Sequence, residues 1–337
     1  MAYQVTLKPS NICFSVEENE PILAAAKRQN LNLPHACQNG VCGACKAHVV
    51  QGSVEQAEHD ELALTPQEES EGNILTCCAI AKSDLEIDLP GFDVATPVVK
   101  TFPARVETVE KIHNVAIIRL SLPKGQEFVF NPGQYLDILL KDNQHRSYSM
   151  ANSPLEKGII ELHIRSQKGG LFSEHVFDAM KEQEILRIKA PLGSFTLQYH
   201  KPKPLLFIAS GTGFAPIKSI LETMVANKDS RSVHFYWGAR NKNELYMQQM
   251  AEAFAQKLPN YQFIPVLSEP LAEDQWQGRV GLVHEAVLAD FDDLSLYEVY
   301  ACGAPVMVEA AATSFIEQKK LAKDAFYSDA FTPSAVK

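Results

Sequence analysis

The chain has 337 residues, 46% hydrophobic and 21% charged, which excludes a disordered or collagen-like polymer and gives room for two to three domains. No apolar run reaches the ~18 residues of a membrane-spanning helix, and the start Met1-Ala2-Tyr3-Gln4 is no signal peptide, so a cytoplasmic protein with no membrane partner is expected. The net charge of −10 argues against nucleic acid as a partner, whose phosphates need a basic surface.

Charge is unevenly spread. Residues 1–95 hold five Lys/Arg against fourteen Asp/Glu, and the rest of the chain is nearly balanced. This N-terminal excess reads either as a soluble acidic surface or as a face that docks on a basic partner.

In chain order, residues 3–7 and 12–16 predict two strands joined by the turn Lys8-Pro9-Ser10-Asn11. Residues 21–30 predict a short helix around Ala24-Ala25-Ala26, followed by a loop with three cysteines and a strand at 46–50. The acidic stretch 55–71 reads as loop and short helix entered at Thr65-Pro66. Strands at 74–76 and 85–89 close an α+β domain that ends at Pro90-Gly91.

After a link near 93–103, short strands at 104–109, 115–122, 135–140, 146–150, 159–164 and 185–189 dominate, with one helix at 173–180. That pattern favours a closed antiparallel barrel. From Pro204 the rhythm becomes βαβ. Strands are expected at 205–209, 233–237, 262–267 and 299–301, with a helix at 215–226 and another running to about 257. This predicts a parallel sheet flanked by helices. The reading is multidomain: an α+β domain over 1–95, a barrel over 100–200 and an α/β domain over 201–337.

Six of the seven cysteines fall in the first 78 residues, which in a cytosolic chain points to metal or redox chemistry rather than disulfides. Cys37-x4-Cys42-x2-Cys45, with 31 intervening residues before Cys77, is the spacing of a plant-type [2Fe–2S] site. Gly40 and Gly43 let the loop take positive φ and approach the inorganic sulfides. Zinc would need the adjacent pair Cys77-Cys78 as its second chelating unit, an awkward geometry, and no Cys-x-His unit exists for a Rieske centre. Residues 1–90 resemble plant-type ferredoxins, of β-grasp fold. The resemblance implies Cys37, Cys42, Cys45 and Cys77 as ligands, with Cys77 following Leu75-Thr76. Cys78 is then a spare neighbour or the alternative ligand.

Arg146-Ser147-Tyr148-Ser149 offers a guanidinium for a pyrophosphate, a ring to stack on an isoalloxazine and a hydroxyl for flavin N5. Alone it reads as readily as an alternating edge strand. With Pro132-Gly133-Gln134-Tyr135, Gly170-Leu171-Phe172-Ser173 and Pro191-Leu192-Gly193-Ser194-Phe195, it resembles the flavin barrel of the ferredoxin–NADP reductase superfamily. That resemblance implies FAD, with Arg146 and Ser173 on the pyrophosphate, Tyr148 and Ser149 at the isoalloxazine, and Ser147 and Gly170 among the binding residues.

Ser210-Gly211-Thr212-Gly213-Phe214-Ala215-Pro216 joins a buried strand to a helix, where backbone N–H groups receive phosphate. It resembles the pyridine-nucleotide turn of the same superfamily, and Cys302-Gly303 its nicotinamide-side pair. In the tail, Asp329 and Phe331 match the superfamily's acidic and aromatic residues at the flavin, where Glu is more usual; the plain alternative is a frayed tail packed by its aromatics.

The order ferredoxin, flavin barrel, nucleotide domain is that of reductases serving aromatic-ring dioxygenases, diiron monooxygenases and a CDP-sugar 3-dehydrase, the last being most similar in its motifs. The resemblance implies an enzyme, with Ser149, Cys302 and Asp329 as catalytic candidates. By the same resemblance, hydride is expected to pass from NADH to FAD and single electrons through the [2Fe–2S] cluster to a redox partner protein, a sugar-nucleotide dehydrase or an oxygenase component. NADPH is the alternative donor: Arg240 and Lys242 suit a 2′-phosphate, whereas Glu244 suits free ribose hydroxyls. A monomer is expected. The rival readings are a reductase of free flavin or small acceptors, and a non-enzymatic redox sensor.

Overall fold

A computed structural model describes residues 2–8, 11–29, 31–89, 99–126, 128–198 and 203–331. The expected turn at Pro9-Ser10, the domain end at Pro90-Gly91, most of the link near 93–103, and Thr332-Pro333 lie outside the described residues. Two compact units emerge, Met1–Lys100 with Pro191–Ser194, and Thr101–Ala190 with Phe195–Lys337. Among the described residues no helix is long and apolar enough to cross a membrane.

In the first unit, β1 (Ala2–Lys8) and β2 (Ile12–Glu17) form an antiparallel hairpin followed by α1 (Ile22–Arg28). Then come β3 (Lys46–Gln51), β4 (Val54–Gln56), α2 (Pro66–Ser70), β5 (Asn73–Leu75), β6 (Ala79–Ala81) and β7 (Leu85–Asp88). The sheet order is β2-β1-β7-β3-β5, with β1 and β7 parallel at the centre. Alternation decides the packing. Val5, Leu7, Phe14, Val16, Leu85 and Ile87 turn to one face and are covered by Ile22, Leu23, Ala25 and Ala26 of α1. Each large side chain so buried contributes about 1.5–3 kcal/mol. This is the expected β-grasp. The Thr65 entry to α2 is a capping box, with Thr65 Oγ1 accepting from the Glu68 N–H. The short pair β4–β6 was not expected.

The second unit begins with β8 (Lys100–Ile112), β9 (Val115–Ser121), β10 (Tyr135–Leu139), β11 (His145–Ser149), β12 (Ile159–Arg165), α3 (Leu171–Asp178) and β13 (Ile185–Leu192). The sheet order is β11-β10-β13-β8-β9-β12, and an antiparallel bridge between Met150 and Leu162 brings its two ends together into a barrel. Val106, Ile118, Leu120, Leu136, Leu162 and Ile188 fill it.

Next come β14 (Leu205–Ser210), α4 (Phe214–Ala226), β15 (Val233–Ala239), α5 (Gln248–Ala253), β16 (Tyr261–Leu267), β17 (Arg279–Val280), α6 (Val283–Asp290), β18 (Glu298–Gly303), α7 (Pro305–Lys319) and β19 (Phe326–Ala330). All five strand pairings are parallel, in the order β17-β16-β15-β14-β18-β19. Both faces are covered. Leu205, Phe207 and Ala209 pack under Ile217 and Ile220 of α4, while Leu206 and Ile208 pack with α6 and α7. The helix expected to run to about 257 is instead broken into a 3-10 turn at Lys242–Glu244, α5, and a second 3-10 turn at Phe254–Gln256. In the described part of the tail, Phe326–Ala330 form β19, which pairs with β18.

Candidate cluster, flavin and nucleotide sites

The cysteine loop is shaped by its glycines. Gly40 has φ +81°, and a Cβ there would stand 2.9 Å from Cys78 Sγ and 3.0 Å from His59 Cβ. Gly43 has φ +71° against the Ala63 carbonyl. Both conformations are cheap only for glycine. The loop gathers the four expected thiols as two pairs. Cys45 and Cys77 lie 3.2 Å apart, and Cys37 hydrogen-bonds with Cys42, whose sulfur also accepts from the Cys37 N–H at 3.5 Å.

Cys42 and the backbone N–H groups of Asn39, Val41 and Cys42 draw the Cys37 thiol down, while Cys42 is pushed up by Cys37 and by burial. Cys45 is likewise lowered by Cys77, and Cys77 raised by Cys45. Among the described residues no three His, Cys, Asp or Glu side chains converge on a single-ion site. Two dithiol pairs wrapped in backbone donors fit a two-iron cluster, each pair supplying half of one iron's tetrahedron. Cys78 stands 3.5 Å from the Cys77 sulfur, on the Gly40 side.

In the barrel, β11 pairs with β10 so that Leu136 faces Tyr148 and Asp137 faces Ser147. The period of two puts Arg146 and Tyr148 on one face, Ser147 and Ser149 on the other. Ser147 donates to Asp137 Oδ1 at 2.6 Å. Tyr148 leans on Phe172 with ring centroids 5.6 Å apart, which brings it to the start of α3. There Gly170 is the N-cap and no side chain caps the first turn, leaving its N–H groups for an anion. Ser173 is buried one turn in, its hydroxyl taken by the Gln167 and Gly170 carbonyls. The helix starts two residues before the expected one because Gly170, not Ser173, supplies the cap.

The nucleotide turn occupies a switch point. From β14 the chain runs outward through β15, β16 and β17, then returns to β18 on the other side, opening a crevice at the carboxyl ends of β14 and β18. Gly211, Thr212 and Gly213 follow β14 there as a 3-10 turn, and Cys302 and Gly303 end β18. A Cβ on Gly213 would meet the Cys302 carbonyl oxygen at 2.3 Å, and one on Gly303 the Ser210 hydroxyl at 2.4 Å. The Trp237 indole donates to the Gly211 carbonyl at 3.0 Å, and the Cys302 thiol to the Gly213 carbonyl at 2.9 Å. Cys302 is fully buried. Asp329 lies beside it in register, and Phe331 N–H donates to the Gly303 carbonyl at 2.8 Å. The structure thus gathers Gly211, Gly213, Cys302, Gly303, Asp329 and Phe331 at one end of the sheet.

Glu244 is not the free acceptor the sequence suggested. Its buried carboxylate receives Arg165 at 3.0 Å and Arg240 Nε at 3.0 Å. Burial opposes its charge, yet these guanidinia hold the carboxyl below the usual range. Sequence reasoning missed Arg165, whose Nη1 would lie 3.2 Å from a Cβ on Gly211.

Residues 5–82 match the family described as 2Fe-2S iron-sulfur cluster binding domain, residues 103–197 the oxidoreductase FAD-binding domain, and residues 207–313 the oxidoreductase NAD-binding domain. The chain is 41% identical to CDP-6-deoxy-L-threo-D-glycero-4-hexulose-3-dehydrase reductase of Yersinia pestis, over 99% of this chain and 100% of the relative. It is 33% identical to the phenol 2-monooxygenase reductase component DmpP of a Pseudomonas strain, over 98% of this chain and 95% of that one. Among solved structures, the Amycolatopsis cytochrome P450 reductase GcoB superposes with a TM-score of 0.80 at 28% identity, covering 99% of this chain and 100% of the other. The chain therefore belongs to the family of iron–sulfur flavoprotein reductases, oxidoreductases that combine a [2Fe–2S] ferredoxin domain, an FAD-binding barrel and an NAD-binding α/β domain.

Proposed function

We propose that this reductase serves a sugar-nucleotide 3-dehydrase, with NADH as its preferred donor. The observation that carries the reading is the 41% identity to a dehydrase reductase across both full lengths, against 33% for the phenol 2-monooxygenase component. An oxygenase component is the second reading, favoured by the breadth of oxygenase reductases among the relatives.

Bound FAD and the cluster together supply a two-electron to one-electron conversion, taking hydride from the nicotinamide and passing electrons on singly. The chain's part is placement. Cys37, Cys42, Cys45 and Cys77 hold the irons, with the loop amides offsetting the negative charge of the thiolates. Arg146 and the open first turn of α3 at Gly170 take the FAD pyrophosphate, Ser173 shaping that turn. Tyr148 and Ser149 would border the isoalloxazine, while Ser147 steadies the strand through Asp137.

Gly211, Thr212, Gly213 and Gly303 let the dinucleotide approach the backbone, and Cys302 holds the turn from beneath. Asp329 and Phe331 border the nicotinamide end of the same crevice, Asp329 as an electrostatic neighbour. The acidic first unit meets a basic face of the partner.

Reconstitution tests the reading. NADH oxidation is measured with a purified CDP-6-deoxyhexulose 3-dehydrase and its CDP-sugar, and separately with a phenol hydroxylase oxygenase component. Sugar-dependent NADH consumption that slows steeply between 0.01 and 0.5 M salt is expected. Coupling to the oxygenase alone would select the second reading. A rate flat across ionic strength would remove the electrostatic docking.

A further inference from the structure

The helix that begins at the nucleotide turn carries charge and hydroxyls where a core helix has none. Lys218 is 3% exposed, and Ser219 and Thr223 are buried as well. All three meet the segment that directly follows Arg146-Ser147-Tyr148-Ser149. Lys218 Nζ donates to the Ala151 carbonyl at 3.3 Å and Ser219 Oγ to the Asn152 carbonyl at 2.7 Å. Ser153 N–H donates to Glu222 Oε2 at 2.9 Å, and the Ser153 and Thr223 hydroxyls lie 3.0 Å apart.

The cluster continues into the barrel. Glu161, on β12, pairs through Oε1 with Lys218 at 3.0 Å and through Oε2 with Arg119 at 2.8 Å, and His163 Nε2 also lies 3.0 Å from Glu161 Oε1. Lys218 also pairs with Glu222 at 2.7 Å. His163 Nδ1 meets the Tyr246 hydroxyl at 2.7 Å, and the Tyr246 ring stands edge-on to Trp237, whose indole holds Gly211. The segment 151–153 is fixed to β12 in turn, with Ala151 N–H donating to the Glu161 carbonyl at 2.8 Å and Glu161 N–H to Asn152 Oδ1 at 2.9 Å.

One carboxylate and one cation, Glu161 and Lys218, are thus buried and paired across the seam between barrel and α/β sheet, with the half-buried Glu222 and Arg119 completing the network. Apolar packing would stabilise such a seam as well, since burying charge is costly. What directional contacts add is a fixed register. Hydride transfer rewards register, because reacting atoms must meet at about 3–3.5 Å in one orientation.

We infer that the Lys218–Glu161 cluster is a positioning device for hydride transfer. It locks the nucleotide turn, through α4, to the residues that follow the flavin tetrapeptide. Lys218, Ser219, Glu222, Thr223, Glu161 and His163 are positioning residues that touch neither cofactor. The inference rests on the assignment of Arg146–Ser149 to FAD and of Gly211–Gly213 to the nicotinamide nucleotide.

The test is anaerobic stopped-flow reduction of bound FAD by NADH in the full-length holoprotein. In Lys218→Met the limiting rate should fall tenfold or more while the half-saturating NADH concentration stays within threefold and FAD and iron content are unchanged. Lys218→Arg, which keeps a cation for both carboxylates, should recover most of the rate. A purely structural role would lower cofactor content or stability and leave the limiting rate of the loaded protein alone. If Lys218→Met does not fold, Ser219→Ala with Thr223→Val removes two hydroxyl contacts and should slow the limiting rate at least threefold.

A loaded variant reduced at the wild-type limiting rate overturns the inference, as does an effect confined to half-saturation. Arg146→Ala run in parallel separates the two levels. If it keeps its FAD, the site assignment fails and takes the inference with it. If it loses FAD while Lys218→Met keeps the wild-type rate, the inference fails alone.

Discussion

The thiol of Cys302 donates to the carbonyl of Gly213 across 2.9 Å, tying the carboxyl end of β18 to the nucleotide turn that ends β14. Burial, with Asp329 alongside, pushes this thiol well above its ordinary value, so it stays protonated and acts as a donor rather than a nucleophile. A hydrogen bond of this kind contributes about 0.5–1.5 kcal/mol. Cys302→Ala should therefore raise the half-saturating NADH concentration by roughly two- to tenfold. FAD and cluster content should hold, and Cys302→Ser should lie nearer wild type. NADH titration of flavin bleaching checks it. Rapid alkylation of Cys302 in the native protein would contradict the buried-donor role.

Cys42→Ser should abolish the cluster and leave reduction of FAD by NADH at its wild-type rate. Cys42 is paired with Cys37 inside the first unit, while the nucleotide turn and β11 belong to the second. Cys78→Ser should keep the cluster, because Cys45 already stands 3.2 Å from Cys77 and Cys78 lies to the side. Iron content and visible absorbance report the cluster; stopped-flow bleaching reports the flavin. A Cys78→Ser protein without iron would transfer the fourth ligand to Cys78.

The cysteine loop and both glycine turns were legible because their chemistry is local, set by spacing and by residues that alone tolerate the backbone. The strand β12 shows what was not. The sequence predicts a strand at 159–164, with Glu161 and His163 alternating against Ile160, Leu162 and Ile164, and does not say what covers the polar face. In the structure Glu161 and His163 are 5% and 4% exposed because α4 covers that face, and Arg165 reaches Glu244. A period of two identifies the face but not what lies on it. The strands β4 and β6 escaped for another reason: with three residues each, they have too little pattern to distinguish them from loop. The broken helix after β15 follows tertiary demand. Glu244, in the 3-10 turn that precedes α5, is engaged with both Arg240 and Arg165.

Those contacts change the donor-specificity argument. Glu244 neutralises one of two arginines, so the region beside Gly211 carries one net positive charge rather than a free carboxylate. Glu244→Gln should free the second cation and shift the ratio of NADPH to NADH catalytic efficiency toward NADPH by about tenfold, some 1.4 kcal/mol. Steady-state kinetics with both nucleotides measures it. An unchanged ratio would mean that the arginines do not face the ribose.

The buried histidine of β12 should leave a signature in acid. Burial holds His163 below the ordinary histidine value and outweighs the opposing pull of Glu161, so the folded protein keeps it neutral. The unfolded chain titrates it near 6.5. As pH falls below that value, the unfolded state binds one more proton than the folded state, and stability drops by at most about 1.4 kcal/mol per pH unit until the folded value is reached. Glu161 does not confuse this window. Although burial opposes its charge, His163 and Lys218 hold it down to about 2, so its contribution is complete above 4.5 and fades only between 4.5 and 2. His163→Gln keeps an amide to bridge Tyr246 and Glu161 but cannot take up the proton. Denaturant unfolding followed by tryptophan fluorescence at pH 6.5, 6 and 5.5 should give a shallower loss of stability in this variant than in wild type. Parallel pH dependences would mean that His163 gains its proton without unfolding.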